Sequence, residues 1–302
     1  MAAITETAVP RRNLFWVAAI PLAICIALLL AITTTTPAWT VWYAELLGLY
    51  AIAALAAWRW PNQARFVLRY GAVTVALAVL IFGQPYNGNA TGSLLALFIP
   101  WMLPFKSWLD FVALGIVGAA LYGTESAGAV LAVVAGFALL IAWSYDRQPN
   151  TRRVPWRLFV VMLCALIAGS LIGVLQPATT QARLDHWQEA QRLAYERQWF
   201  GWGLGSYLER SAIPDQNHAD SLPFTIMAEL GGIGFVLFVD CAYDTVRRIF
   251  ITQNNPARLA VLIWGLHNIV DCTLWFPAVG VLLAVNLALL WRFGDADQHP
   301  AN

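Results

Sequence analysis

The stretch AGAVLAVVAGFALLIAWSY (residues 127–145) runs for 19 residues without a charged side chain. At 1.5 Å per residue, a helix of that length measures about 28 Å, close to the ~30 Å hydrocarbon thickness of a bilayer. Working outward from it, comparable runs lie at 15–33, 38–58, 66–83, 93–105, 109–123, 157–175, 222–244, 259–275 and 277–292. The pattern predicts an all-α polytopic membrane protein of about ten transmembrane helices. Runs 93–105 and 109–123 are marginal, and Pro100 and Pro104 interrupt the first. This pair reads as two crossings or as one re-entrant hairpin, and both leave the sidedness downstream unchanged. The run at 15–33 follows Arg11 and Arg12 and is too long for the apolar part of a cleaved signal peptide, so it reads as a signal anchor.

Composition agrees with this reading. Apolar residues make up 60% of the chain and charged ones 12%, about half the ~25% of soluble domains, and the mean hydropathy is +0.62. The apolar content excludes a disordered or collagenous chain. The near balance of 18 basic and 17 acidic residues excludes a basic nucleic-acid binder. Cys25, Cys164, Cys241 and Cys272 each sit in an apolar run without CxxC spacing, so neither a disulfide framework nor a zinc site is predicted.

Sidedness follows from the basic residues. With the N-terminus in the cytoplasm, 14 of the 18 fall inside, among them Arg59, Arg65, Arg69, Lys106, Arg147, Arg247, Arg248 and Arg292. The remaining Arg183, Arg192, Arg197 and Arg210 all lie in one external segment, 176–221. That split is the positive-inside bias of a multi-pass membrane protein with both termini cytoplasmic. The chain divides into N-terminal helices (1–175), an external loop between helices seven and eight (176–221), and C-terminal helices with a short tail (222–302), forming one integral membrane domain.

Soluble chemistry therefore has one place to happen. Arg183–Gln198 reads as an amphipathic helix, with Leu184, Trp187, Ala190 and Ala194 at helical spacing. Glu189, Arg192 and Glu196 form solvated pairs on its other faces, whereas the position four residues after Arg183 is Trp187, not an acid. Next comes FGWGLGSY (200–207), whose alternating glycines permit unusual backbone angles, either as a tight turn or as a backbone cradle for a ligand. No Lys-Ser/Thr follows, so it is not a P-loop. The segment ends in His218-Ala219-Asp220, and a histidine there suits general-base work near neutral pH.

These elements together resemble one family. Arg183-Leu184-Asp185-His186-Trp187, the Gly201–Tyr207 block, a loop-end His218 and Ala228-Glu229-Leu230-Gly231-Gly232-Ile233-Gly234 are similar to the signature of the O-antigen ligase/polymerase superfamily. His267-Asn268-Ile269-Val270-Asp271 with Leu274-Trp275-Phe276-Pro277 resembles the penultimate helix of its pilin-type O-oligosaccharyltransferase branch. The resemblance covers about residues 180–290 and rests on the order of the blocks. It implies a GT-C-like, all-helical glycosyltransferase that moves a glycan from an undecaprenyl-pyrophosphate carrier to an acceptor at the periplasmic face of the inner membrane. The acceptor is lipid A-core in ligases, a growing repeat chain in polymerases and a protein hydroxyl in pilin-modifying members. Arg183 and His218 correspond to functional residues of the ligases. One departure stands out: ligases place the histidine eleven positions before the glycine of the Glu-x-Gly block, and here that slot is Asp220.

Such chemistry calls for these side chains. A planar guanidinium donates paired hydrogen bonds to a leaving pyrophosphate and stays charged. Arg183 is the first choice, with Arg192, Arg197 and Arg210 in support. The acceptor hydroxyl needs a base, either His218 or Asp220. The carrier is already activated, so no cofactor or metal is called for. Within the membrane, Glu229, His267 and Asp271 are costly to bury and need a reason. His267 and Asp271, four residues apart, are expected on one helical face. With Glu229 they line the acceptor cavity, buttress the loop, or join two helices as a buried polar cluster. Gly231, Gly232 and Gly234 are expected to permit close helix packing. Trp199 and Trp202 are candidates for stacking on sugar rings. A transporter is the competing class, but the chain has no internal repeat or paired broken helices.

Overall fold

A computed structural model describes residues 37–84, 87–103, 108–146, 177–213, 218–252 and 255–296. The spans expected at 15–33 and 157–175 lie outside the described residues. Every regular element among those described is helical. In chain order these are α1 (Pro37–Arg59), α2 (Pro61–Phe82), α3 (Gly88–Phe98) with a 3-10 turn (Ile99–Met102), α4 (Trp108–Gly123), α5 (Ala127–Asp146), α6 (Pro177–Glu196), the short α7 (Ser206–Arg210), α8 (Leu222–Ile251), α9 (Pro256–Ile269) and α10 (Pro277–Ala296).

Helix boundaries follow local chemistry. Pro61, Pro223 and Pro256 occupy first-turn positions where a missing N–H costs nothing. The Asn87 side chain accepts from the Ala90 N–H at 2.8 Å to start α3, and Asn255 does the same for Ala257 at 3.0 Å to start α9.

The helices turn apolar faces outward. Ile52, Phe66, Tyr70, Ile81, Phe82, Phe111, Tyr122, Val134 and Val236 are all more than half exposed. A water-soluble surface does not carry apolar patches on that scale, whereas a lipid-facing one does. Helices α2 and α8 are long and apolar enough to cross a bilayer, and Trp108–Gly123, Ala127–Ala142 and Pro277–Arg292 are shorter apolar helices. Among the described residues the fold is all-helical, with the apolar outer faces of a membrane protein.

At the centre stands α3, buried from Ala90 to Phe98 and continued by the buried 3-10 turn. Around it pack α9 (Leu259–Ile263), α10 (Leu283, Leu289, Leu290), α5 (Ala129, Ala132) and α2 (Leu68, Ala72, Ala76). Small residues allow the close approach. A methyl group on Gly136 would meet Ile263 Cγ1 at 2.7 Å, and one on Gly92 would meet Ser126 Cβ at 2.8 Å. Gly280 of α10 receives the ring of Tyr50 from α1, whose hydroxyl donates to Leu274 O at 2.6 Å.

Two expectations change. The run at 259–275 is helical only to Ile269, and Val270–Phe276 is irregular. Pro277 opens the next helix, and the Asn268 side chain receives the Thr273 N–H at 2.8 Å, drawing the chain into a compact reversal. The glycines of 231–234 do more than ease packing. At Gly231 (φ 66°, ψ −167°) α8 is broken in two, and its backbone groups are freed for partners outside the helix.

Candidate functional site

Helix α6 presents Arg183, His186, Trp187, Ala190 and Leu193 to the rest of the protein at helical spacing, while Leu184 is 41% exposed. The buried stripe is therefore rotated away from the Leu184 position expected from sequence. Trp187 stacks on Phe224 of α8 with ring centroids 5.4 Å apart. Ala190 and Leu193 pack with Tyr207, Ala219 and Ala228. Tyr207 is buried, and its hydroxyl donates to His186 O at 3.0 Å.

The Gly-rich turn explains the break in α8. Gly201, Gly203 and Gly205 all have positive φ, at 64°, 101° and 76°. Bent this way, the turn lies along the break and supplies its missing backbone partners. Trp202 N–H donates to Ala228 O at 3.2 Å, and Gly203 N–H donates to Glu229 O at 2.7 Å. In return Gly232 and Ile233 N–H donate to Gln198 O at 2.6 Å and Trp199 O at 3.2 Å. The turn's amides thus face α8 rather than an open cradle. The anion they do meet is the chain's own: Glu229 is buried, and its Oε1 accepts from Tyr207 N–H at 3.3 Å. Its Oε2 has no hydrogen-bond partner among the described residues.

Between the turn and α8, His218 is 6% exposed and its Nδ1 lies 3.4 Å from Asp220 Oδ1. The other carboxylate oxygen of Asp220 is 2.5 Å from His186 Nδ1. Trp187 Nε1 donates to Asp220 O at 3.3 Å. Burial opposes the charged form of Asp220, but the hydrogen bonds and charges of His218 and His186 outweigh it and hold its pKa below the ordinary aspartate value of 3.8. A carboxyl with a lowered folded-state pKa adds stability above its unfolded value and loses it as pH falls through the folded one. The thermal stability advantage of wild type over Asp220→Asn is therefore expected to shrink as the pH falls below the ordinary aspartate range. An advantage that grows on acidification would contradict the assignment.

The chain reversal after α9 completes the cluster. Asp271 O accepts from Leu222 N–H at 2.9 Å, pinning the start of α8. Asp271 Oδ1 accepts from Cys272 N–H at 2.7 Å, whereas Oδ2 lies 3.9 Å from His267 Nε2. That Oδ2 and both ring nitrogens of His267 are buried without a hydrogen bond among the described residues. The two side chains face one another across the helix end, not along one helical face. The Arg183 charge acts on both, and His218 and Asp220 act on Asp271. Arg183, His218, Asp220, His267 and Asp271 thus come together from three separate parts of the chain.

The other three arginines gather elsewhere. Arg192 lies nine residues after Arg183, half a turn round and about 14 Å along the helix. It pairs with Glu189 at 2.7 and 2.9 Å and with Glu196, and it donates to Arg210 O at 3.2 Å. The Arg197 and Arg210 guanidinium carbons lie 4.2 and 4.8 Å from the Trp202 ring centroid. Trp202 Nε1 donates to Leu193 O at 3.0 Å, so this indole is already engaged within the protein. His186, which no motif in the sequence marks as a site residue, joins the cluster through Asp220. Its signal was its position, three residues after Arg183 on the same helical face.

Comparison with known proteins agrees with this picture. Residues 112–239 match the family model described as O-antigen ligase, the superfamily that the sequence blocks resemble. The match takes in Arg183, the Gly-rich turn, His218 and the Glu229–Gly234 block. Two curated relatives are both described as probable peptidoglycan glycosyltransferase FtsW. The one from Neisseria gonorrhoeae (strain NCCP11945) is 27% identical over 111 residues, covering 32% of this chain and 24% of the relative. The one from Polynucleobacter necessarius subsp. necessarius (strain STIR1) is 24% identical over 205 residues, covering 65% and 45%. The aligned part spans less than half the length of each relative.

Proposed function

We propose that this protein transfers a glycan from undecaprenyl pyrophosphate to an acceptor hydroxyl at the periplasmic face of the bacterial inner membrane. The observation that carries the reading is Arg183. Among the described residues its guanidinium has no hydrogen bond or ion pair, yet its charge acts on the His267–Asp271 pair, on which His218 and Asp220 also bear. A fixed cation without a structural partner, next to a histidine and a carboxylate, suits a substrate that brings its own negative charge.

In the proposed reaction, the acceptor oxygen attacks the anomeric carbon and the bond from that carbon to the pyrophosphate oxygen breaks. The departing lipid pyrophosphate takes the bonding electron pair, and Arg183 balances its charge. The acceptor proton passes to His218. Asp220 is the poorer base, because its two histidine partners hold it ionised, and it serves instead to orient the imidazole. Glu229, His267 and Asp271 form the polar floor of the acceptor cavity. Arg197 and Arg210, stacked on Trp202, extend the positive charge along the external segment, and Arg192, paired with Glu189 and Glu196, ties α6 to Arg210. Trp199 and Phe200 are 69% and 55% exposed beside Ile233, where the outward apolar stripe of α8 begins. Aromatics in that position suit the headgroup level of a bilayer, which supports chemistry at the membrane surface.

The test is purified protein in nanodiscs with a lipid-linked oligosaccharide and, in turn, lipid A-core, a glycan chain and a pilin-type protein, the products being weighed. Glycan gain by one acceptor is expected, and no transfer to any of them overturns the reading. His218→Ala is expected to lower kcat by about 10²–10⁴-fold, and Asp220→Ala by less. Full activity in both variants removes the base from the loop.

A further inference from the structure

Asp220 adopts a backbone conformation that aspartate rarely holds, with φ at +49°. Such a residue costs of order 1–3 kcal/mol and persists only where its surroundings over-determine it. Here the determinants are neighbours on α6. His186 Nδ1 meets Oδ2 at 2.5 Å, and the adjacent Trp187 donates its indole N–H to Asp220 O at 3.3 Å. His186 is itself fixed from behind, its carbonyl accepting from Tyr207 Oη at 3.0 Å. Side-chain exposure falls from 19% at Asp220 to 11% at His186 and 8% at His218, so this chain of contacts is largely shielded from water.

The two histidines play unlike parts. His186 belongs to a helix and meets one carboxylate oxygen in a short, charge-assisted contact. His218 belongs to the irregular segment before α8 and meets the other oxygen at the looser distance of 3.4 Å. With Asp220 anchored at Oδ2, its Oδ1 is aimed at His218 Nδ1. The Asp220 N–H also donates to His218 Nδ1 at 3.3 Å, so backbone and side chain of Asp220 both bear on the same ring nitrogen.

We infer that His186 is a positioning residue: it clamps Asp220 from α6 so that Asp220 holds His218 in the orientation that general-base transfer requires. The inference rests on the reading of His218 as the base. It makes α6 a working part of the site on a second account, beyond carrying Arg183.

The experiment compares His186→Leu, which removes the ring N–H, with His186→Asn, whose amide N–H can stand where Nδ1–H stands. Each is made in wild type and in His218→Ala, and all are assayed with the lipid-linked oligosaccharide in nanodiscs. His186→Leu is expected to lower kcat at least tenfold with KM within twofold, and His186→Asn to recover kcat to within about threefold of wild type. In the His218→Ala background, His186→Leu should have little further effect, because the two act as one unit. An unchanged kcat in His186→Leu overturns the inference, as does an Asn variant as impaired as Leu. An equal further loss in the His218→Ala background shows that His186 acts on folding alone and overturns it too. Full activity in His218→Ala by itself instead overturns the base assignment on which the inference stands, so the two failures are distinguishable.

Discussion

Arg183→Ala is expected to reduce glycan transfer by about 10³-fold or more, the range seen when a single arginine that balances a departing phosphate's charge is removed. The size follows from where the residue stands. Its neighbours Asp271 and His267 bury polar atoms without hydrogen bonds among the described residues, so the polar groups beside it lack their full set of partners. A substrate carrying a diphosphate completes that set, and alanine leaves the charge of the leaving group unbalanced in a low-dielectric setting. Arg183→Lys is expected to fall between the two, since an ammonium keeps the charge but loses the planar fork. Because Arg183 makes no hydrogen bond or ion pair among the described residues, the alanine variant should insert and purify like wild type. Transfer rates measured at equal amounts of folded enzyme decide the matter, and near-normal activity in Arg183→Ala removes it from the leaving-group role.

Gly201→Val is expected to abolish folding outright. A Cβ at this position would lie 2.3 Å from Glu229 O and 2.6 Å from Gly231 N, both backbone atoms that cannot rotate aside. A β-branched residue also resists the φ of +64° found there. Overpacking and backbone strain each cost roughly 1–3 kcal/mol, and they are joined here by the backbone hydrogen bonds that the displaced turn gives up. Together these match much of a typical 5–15 kcal/mol of stability. Thermal aggregation in detergent, read by size-exclusion chromatography, should show little or no monodisperse protein. A variant that elutes and melts like wild type would mean that the turn does not thread the break in α8 as described.

How far the sequence disclosed this arrangement depended on the kind of signal. The long apolar runs placed α1, α5 and α10 closely and started α8 correctly but ended it early, because burial in lipid demands nearly unbroken apolar stretches whatever the tertiary packing. The run at 259–275 overran by several residues, since Val270, Cys272 and Leu274 are as apolar in an irregular reversal as in a helix. Arg183 stood out because it lacked an acid one turn ahead, and the structure keeps it free of an ion pair among the described residues. The neighbouring His186 did not stand out, because its partner Asp220 lies 34 residues away and only tertiary folding joins them. The break at Gly231 was equally hidden, for a glycine that eases helix packing and one that interrupts a helix look alike in a sequence.

That break ties the order of synthesis to the order of assembly. Residues 197–205 leave the ribosome before α8 exists, so the amides and carbonyls that will bridge Gly231 must wait in water or at the headgroups. They find their partners only after α8 has entered the translocon, and the Leu222–Asp271 bond requires α9 later still. A nascent chain halted before residue 222 therefore carries Arg183 and the Gly-rich turn without the backbone partners that α8 supplies.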